Sequence, residues 1–132
     1  MKGPARLPDT NVILRYLLAD NPELYEKAQR LFEKIRVGEE KAVILESVLV
    51  ECVYVLTKFY KVPKAEAAAR LKELLHYKGV INNDKNDLIS ALNIFSGKDP
   101  LDIVDCVLSA KAKSSGMTMV TFDEKLRKRH GG

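Results

Sequence analysis

Apolar positions recur in two rhythms along this chain. Leu24, Ala28, Leu31, Phe32 and Ile35 hold helical spacing, with Asn21 and Pro22 as cap and first-turn proline and Gly38 as the stop. Asn11 to Ala19 predicts a short helix before it. Ser47 can cap a helix running to about Tyr60, and Pro63 opens another that ends near Gly79. Asp84 caps a helix bearing Leu88, Ile89, Leu92 and Phe95, closed by Gly97. Asp99-Pro100-Leu101-Asp102 predicts a helix start, with an acid at the third helical position, and Gly116 a stop after Ser115. Asp123 starts a last, basic helix, EKLRKRH.

The second rhythm is the short apolar run. AVIL (42–45) predicts a short buried strand, GVIN (79–82) and MTMVTF (117–122) a third and a fourth, and ARLPD (5–9) a first strand. Pro4 and Pro8 predict that this first strand is short or bulged, because proline has no N–H for a ladder. Strands separated by helices point to an α/β fold with a parallel sheet in one domain, residues 1–132. Ligands of such folds bind beyond the carboxyl ends of the strands.

Four carboxylates stand out on this scheme. Asp9 ends the first strand and Asp123 the last. Glu51 is the one acid inside the apolar run SVLVECVYVL, and Asp105 sits among apolar neighbours in IVDCVLSA. Asp9 can be a turn or cap residue, and Asp123 a helix cap. Glu51 and Asp105 would each need a buried partner, Arg15 or Lys58, if they were only structural. Convergence of all four on one rim pocket demands a cation. An oxygen-only donor set suits Mg²⁺ or Mn²⁺, and such ions activate water for phosphodiester hydrolysis. Asp102 reads first as a helix cap, with support of the acid cluster as the second reading.

Composition narrows the rest. The 132 residues are 46% hydrophobic and 30% charged, with net charge +4, which permits a polyanionic partner. Basic residues gather at Lys58, Lys61 and Lys64, and at Lys125, Arg127, Lys128 and Arg129. Either group is a solvated face or, beside a metal cluster, a contact for phosphates. Cys52 and Cys106 each follow a candidate ligand by one residue, and so should turn into the core. His76 and His130 fit no catalytic spacing, and no phosphate-cradling glycine loop is present. No stretch has the length of a membrane span or the form of a signal peptide, so a soluble cytoplasmic protein is expected.

PDTNVILRYLL, SVLVECVYVL and DIVDCVLSAKAKSSGMTMVTFD, in this order and spacing, resemble the PIN-domain nucleases, most closely the small VapC-type toxins of toxin–antitoxin pairs. The resemblance implies a three-layer α/β/α fold with a mainly parallel sheet of four to five short strands. It implies metal ligation and catalysis by Asp9, Glu51, Asp105 and Asp123, supported by Thr10, Asn11 and Thr121. It also implies Mg²⁺- or Mn²⁺-dependent cutting of RNA, a cognate antitoxin and a homodimer. Arg15, Lys125, Arg127 and Lys128 are the candidate RNA contacts. Two rivals stand beside this reading. One is a PIN-like domain that binds RNA or protein without cutting. The other is a small-molecule phosphatase, which would need a D-x-D pair where this chain has Asp9-Thr10-Asn11.

Overall fold

The computed structural model describes residues 3–129, and of Arg129 the backbone alone. His130 therefore lies outside the described residues. Helices dominate: α1 Thr10–Leu18, α2 Pro22–Val37, α3 Glu46–Tyr54, α4 Lys64–Leu75, α5 Lys85–Phe95, α6 Ile103–Ser115 and α7 Glu124–Arg129. A π-helical turn, Val55–Phe59, continues α3. Among the described residues no helix is long and apolar enough to cross a membrane.

The helix ends show why the chain breaks where it does. The Asn21 side chain accepts from the Leu24 N–H at 3.1 Å, and Gly38 closes α2 at φ +87°, a conformation that costs glycine nothing. Asp102 caps α6 by accepting from the Asp105 N–H at 3.0 Å. The start expected at Asp99 is thereby moved to Ile103. Pro100 instead sits inside a tight turn, closed by Leu101 N–H to Asp99 C=O at 2.9 Å. Ser47 is not the cap of α3, which begins at Glu46 after Leu45. The helix expected to reach Tyr60 widens after Tyr54, where the Thr57 hydroxyl donates to the Val53 carbonyl at 2.8 Å, a back-bond that bends helices. Its turn closes five residues apart, from Tyr60 N–H to Val55 C=O at 3.1 Å.

Three extended segments meet in parallel, Arg6 beside Ala42 and Ala42 beside Val80. Arg6 exchanges bonds with Lys41 C=O (2.8 Å) and Val43 N–H (3.0 Å), and Ala42 with Gly79 C=O (2.8 Å) and Ile81 N–H (2.9 Å). Pro8 ends the first ladder, since the next bond would need its missing N–H. The pairing is thus as short as the prolines predicted. The third segment is extended by a side chain. Asn82 accepts from the Ile44 N–H at 2.8 Å and donates to the Ile44 C=O at 2.6 Å, copying a backbone rung. Residues 117–122 make no ladder pairing among the described residues, and Val120 and Phe122 stand exposed.

Asn82→Ala should cost roughly 1–3 kcal/mol, because Ile44 is wholly buried and both its backbone groups would lose their partner. Urea unfolding measures this. A loss below a few tenths of a kcal/mol would mean that the side-chain rung contributes nothing.

Around this small sheet α1 packs on α2 and α3, α4 on α5, and α5 on α6. Phe32, Ile13, Ile35, Ile44, Leu49 and Leu92 are fully buried. Cys52 and Cys106 are free and buried, as expected from the turn of the helix. Lys111 of α6 reaches Glu46 at 2.9 Å and Asp84 at 3.3 Å. It ties the start of α3 to the helix that bears Asp105. Asp84 is the N-cap residue of α5, as expected, but its side chain makes no cap bond and receives Lys111 and the Asn82 amide instead.

Candidate active site: a rim of carboxylates

The first group of acids lies where the first extended segment enters α1. Asp9 is the N-cap, accepting from the Val12 N–H at 3.0 Å. The next residue, Thr10, donates its hydroxyl to the Glu51 carboxylate of α3 at 2.6 Å. Glu51 is therefore exposed and held by a hydroxyl, not buried in the apolar run that surrounds it in sequence. Between these acids and the core lies Cys52, whose thiol is pushed up to about 12 by burial and then by the charges of Glu51 and Asp9.

The second group gathers at the start of α6. Asp102 and Asp105 form a reciprocal capping box, each side chain bonded to the other's backbone N–H. The Asp105 carboxyl is half-buried and held above its ordinary value by burial, then by the charge of Asp102, with Asp123 adding to the effect. Asp123 caps α7, accepting from the N–H groups of Lys125 (2.9 Å) and Leu126 (3.2 Å). Thr121 supports it, accepting from the Asp123 N–H at 3.0 Å.

Tyr54 adjoins the second group. It lies three residues after Glu51 on α3, hence on the same face. Its phenol is raised by burial, by the charges of Asp102 and Asp105, and by a hydrogen bond to Asp102. Sequence reasoning passed over Tyr54, although its spacing from Glu51 was a usable signal.

Among the described residues no protein cation compensates this rim: none of Asp9, Glu51, Asp102, Asp105 and Asp123 has a lysine or arginine within ion-pair distance. Arg15, the structural partner considered for Glu51 or Asp105, binds Asp20 at 3.0 Å and the Tyr60 hydroxyl at 3.2 Å instead. Lys58 makes no ion pair among the described residues. Asn11 faces a separate groove with Val12, Arg15 and Leu24.

In kind, an all-oxygen, uncompensated set fits a hard divalent ion. In spacing, no three Asp, Glu, His or Cys side chains among the described residues stand close enough to enclose one. The two facts are compatible for Mg²⁺, which keeps several waters and takes one or two carboxylates together with substrate phosphates.

The family model of the PIN domain matches residues 6–131, so the chain belongs to this α/β family. It is VapC-like within it. A VapC ribonuclease of Aquifex aeolicus (strain VF5) is 27% identical over 124 residues, covering 93% of this chain and 90% of the relative. No solved structure matches the chain.

Proposed function

We propose that this chain is a Mg²⁺- or Mn²⁺-dependent endoribonuclease, the toxin of a toxin–antitoxin pair. The observation that carries the reading is the uncompensated rim, negative in a protein of net charge +4. Asp9, Glu51, Asp105 and Asp123 are the candidate ligands, of which one or two would take the ion together with water and substrate phosphates. When bound, it lowers the pKa of a water and neutralises the charge of the phosphoryl transition state. Thr10 fixes the Glu51 carboxylate, Asp102 fixes Asp105 through the capping box, and Thr121 fixes the backbone of Asp123. Asn11, the remaining polar neighbour in sequence, faces the separate groove beside Arg15. Lys125 and Lys128 would meet phosphates, whereas Arg127 pairs with Glu124 at 3.0 Å and donates to the Thr121 C=O at 3.2 Å. Arg15, held by Asp20 and Tyr60, has less to offer.

The same reading includes a cytoplasmic site of action, a homodimer, a cognate antitoxin and a sheet of four to five strands in an α/β/α sandwich. Pairing through Arg6 turns the Leu7 N–H and the Ala5 C=O to the opposite edge. That open edge supports residues 117–122 as the fourth strand, which would cover Val120 and Phe122.

Purified protein should cut a mixed RNA pool with Mg²⁺ or Mn²⁺ and stop in EDTA. The two separate groups of acids favour a second reading, a domain that binds RNA or protein without cutting. RNA bound but left intact under every metal condition would establish that reading instead.

A further inference from the structure

A cleft of about 440 Å³ opens beside the acids, with Asp102 the one rim acid in its lining. Tyr54 and Lys58 on one side, Lys64 and Phe95 on another, and Leu101 and Asp102 on the third line it. Tyr54 and Asp102 belong both to this cleft and to the rim, so the two share a border. The Lys64 ammonium sits 4.5 Å from the centre of the Phe95 ring and donates to the Leu101 carbonyl at 3.3 Å. Neither Lys58 nor Lys64 forms an ion pair among the described residues, and both are exposed. A second cleft of about 420 Å³ bears Lys125, Lys128 and Asp99 and shares Pro100 and Leu101 with the first. Two cation-edged clefts thus meet over one turn, next to the carboxylates.

The geometry points to this cleft as the seat of a nucleotide adjoining the scissile phosphate of single-stranded RNA. This placement rests on the nuclease reading. The base lies against the apolar wall and the Tyr54 ring. The next backbone phosphates meet Lys58 and Lys64, and the strand continues over Pro100 toward Lys125 and Lys128. The volume falls in the range of small-ligand sites, roughly 300–1,000 Å³. Aromatic stacking with a cationic edge is how single strands are held without sequence readout. A duplex would present its bases to neither wall.

The test is fluorescence anisotropy of a labelled single-stranded RNA octamer in EDTA, so that binding is read without cutting. Lys58→Gln/Lys64→Gln should weaken binding at least about tenfold. It should also flatten the slope of log affinity against log salt by about 1.4, two phosphates at roughly 0.7 each. Lys61→Gln, outside the cleft, should bind as wild type. Equal affinity and slope in wild type and double variant would overturn the subsite, as would an equal loss in Lys61→Gln. No RNA binding by wild type would also overturn it. Displacement of RNA by an acidic peptide with the double variant unaffected would assign the cleft to a protein partner. Cutting by a wild type whose double variant keeps full affinity sinks the subsite and spares the nuclease. The predicted loss of affinity without cutting in any metal does the reverse.

Discussion

Asp105→Asn should lower RNA cleavage at least about 100-fold while leaving the chain folded. The exchange removes one charge and keeps the shape. An amide oxygen at this position can still accept the Asp102 N–H, so the capping box survives in part. The effect on stability has a definite sign. The Asp105 carboxyl is raised in the folded chain by burial and by Asp102. Below the ordinary carboxylate value it is protonated in both states, and its contribution to stability is fully present. As pH rises through the raised value that contribution is lost, because the folded state must ionise a group that resists it. At pH 7 without metal, the variant should therefore melt at or above the wild-type temperature. Thermal unfolding by circular dichroism, beside cleavage assays, checks both halves. A variant that melts well below wild type would mean that Asp105 is a structural ion-pair or cap residue. A variant that cuts at the wild-type rate would remove it from the mechanism.

Gly79→Ala should destabilise the fold by roughly 3 kcal/mol or more. A Cβ there would stand 2.1 Å from the Glu40 carbonyl oxygen and 2.6 Å from that of Ile35. Both are backbone atoms held in place. The Gly79 N–H itself donates to Ile35 C=O at 2.7 Å, and its C=O accepts from Ala42 N–H. Relief of the clash must part α2 from the sheet, and the segment that leads into α3 and Glu51 goes with it. Gly3→Ala, with nothing within 4 Å of a new Cβ, is the control and should melt as wild type. An equal melting temperature for Gly79→Ala would show that the close approach is absent in solution.

Much of this arrangement was legible residue by residue. Asn21-Pro22, Gly38 and Gly116 mark the helix ends where expected, because caps and left-handed stops are local chemistry. The prolines led to the expectation of a short first strand, and among the described residues its one bridge is at Arg6. The two cysteines turn inward as one-residue rotation requires. The acids were found one by one, but their settings were not. Glu51 looked buried because α3 is apolar on several faces, and periodicity cannot reveal which residue of such a helix meets a hydroxyl from another segment. Asp99 and Asp102 competed as caps, and the reciprocal bonds with Asp105 decided it. The Asn82 rung depends on contacts across 38 residues of chain, which no local pattern encodes. Residues 117–122 carry a strand pattern without a partner among the described residues, so their composition alone named the element.

The central claim is that these carboxylates form one divalent-metal site, and Mn²⁺ titration by calorimetry tests it most directly. Wild type should bind Mn²⁺ saturably in the absence of RNA, and Asp9→Asn and Asp105→Asn should each weaken that binding at least about tenfold, as loss of a charged ligand on either half of one site requires. No saturable binding by wild type, or binding that either variant leaves untouched, would contradict a shared site.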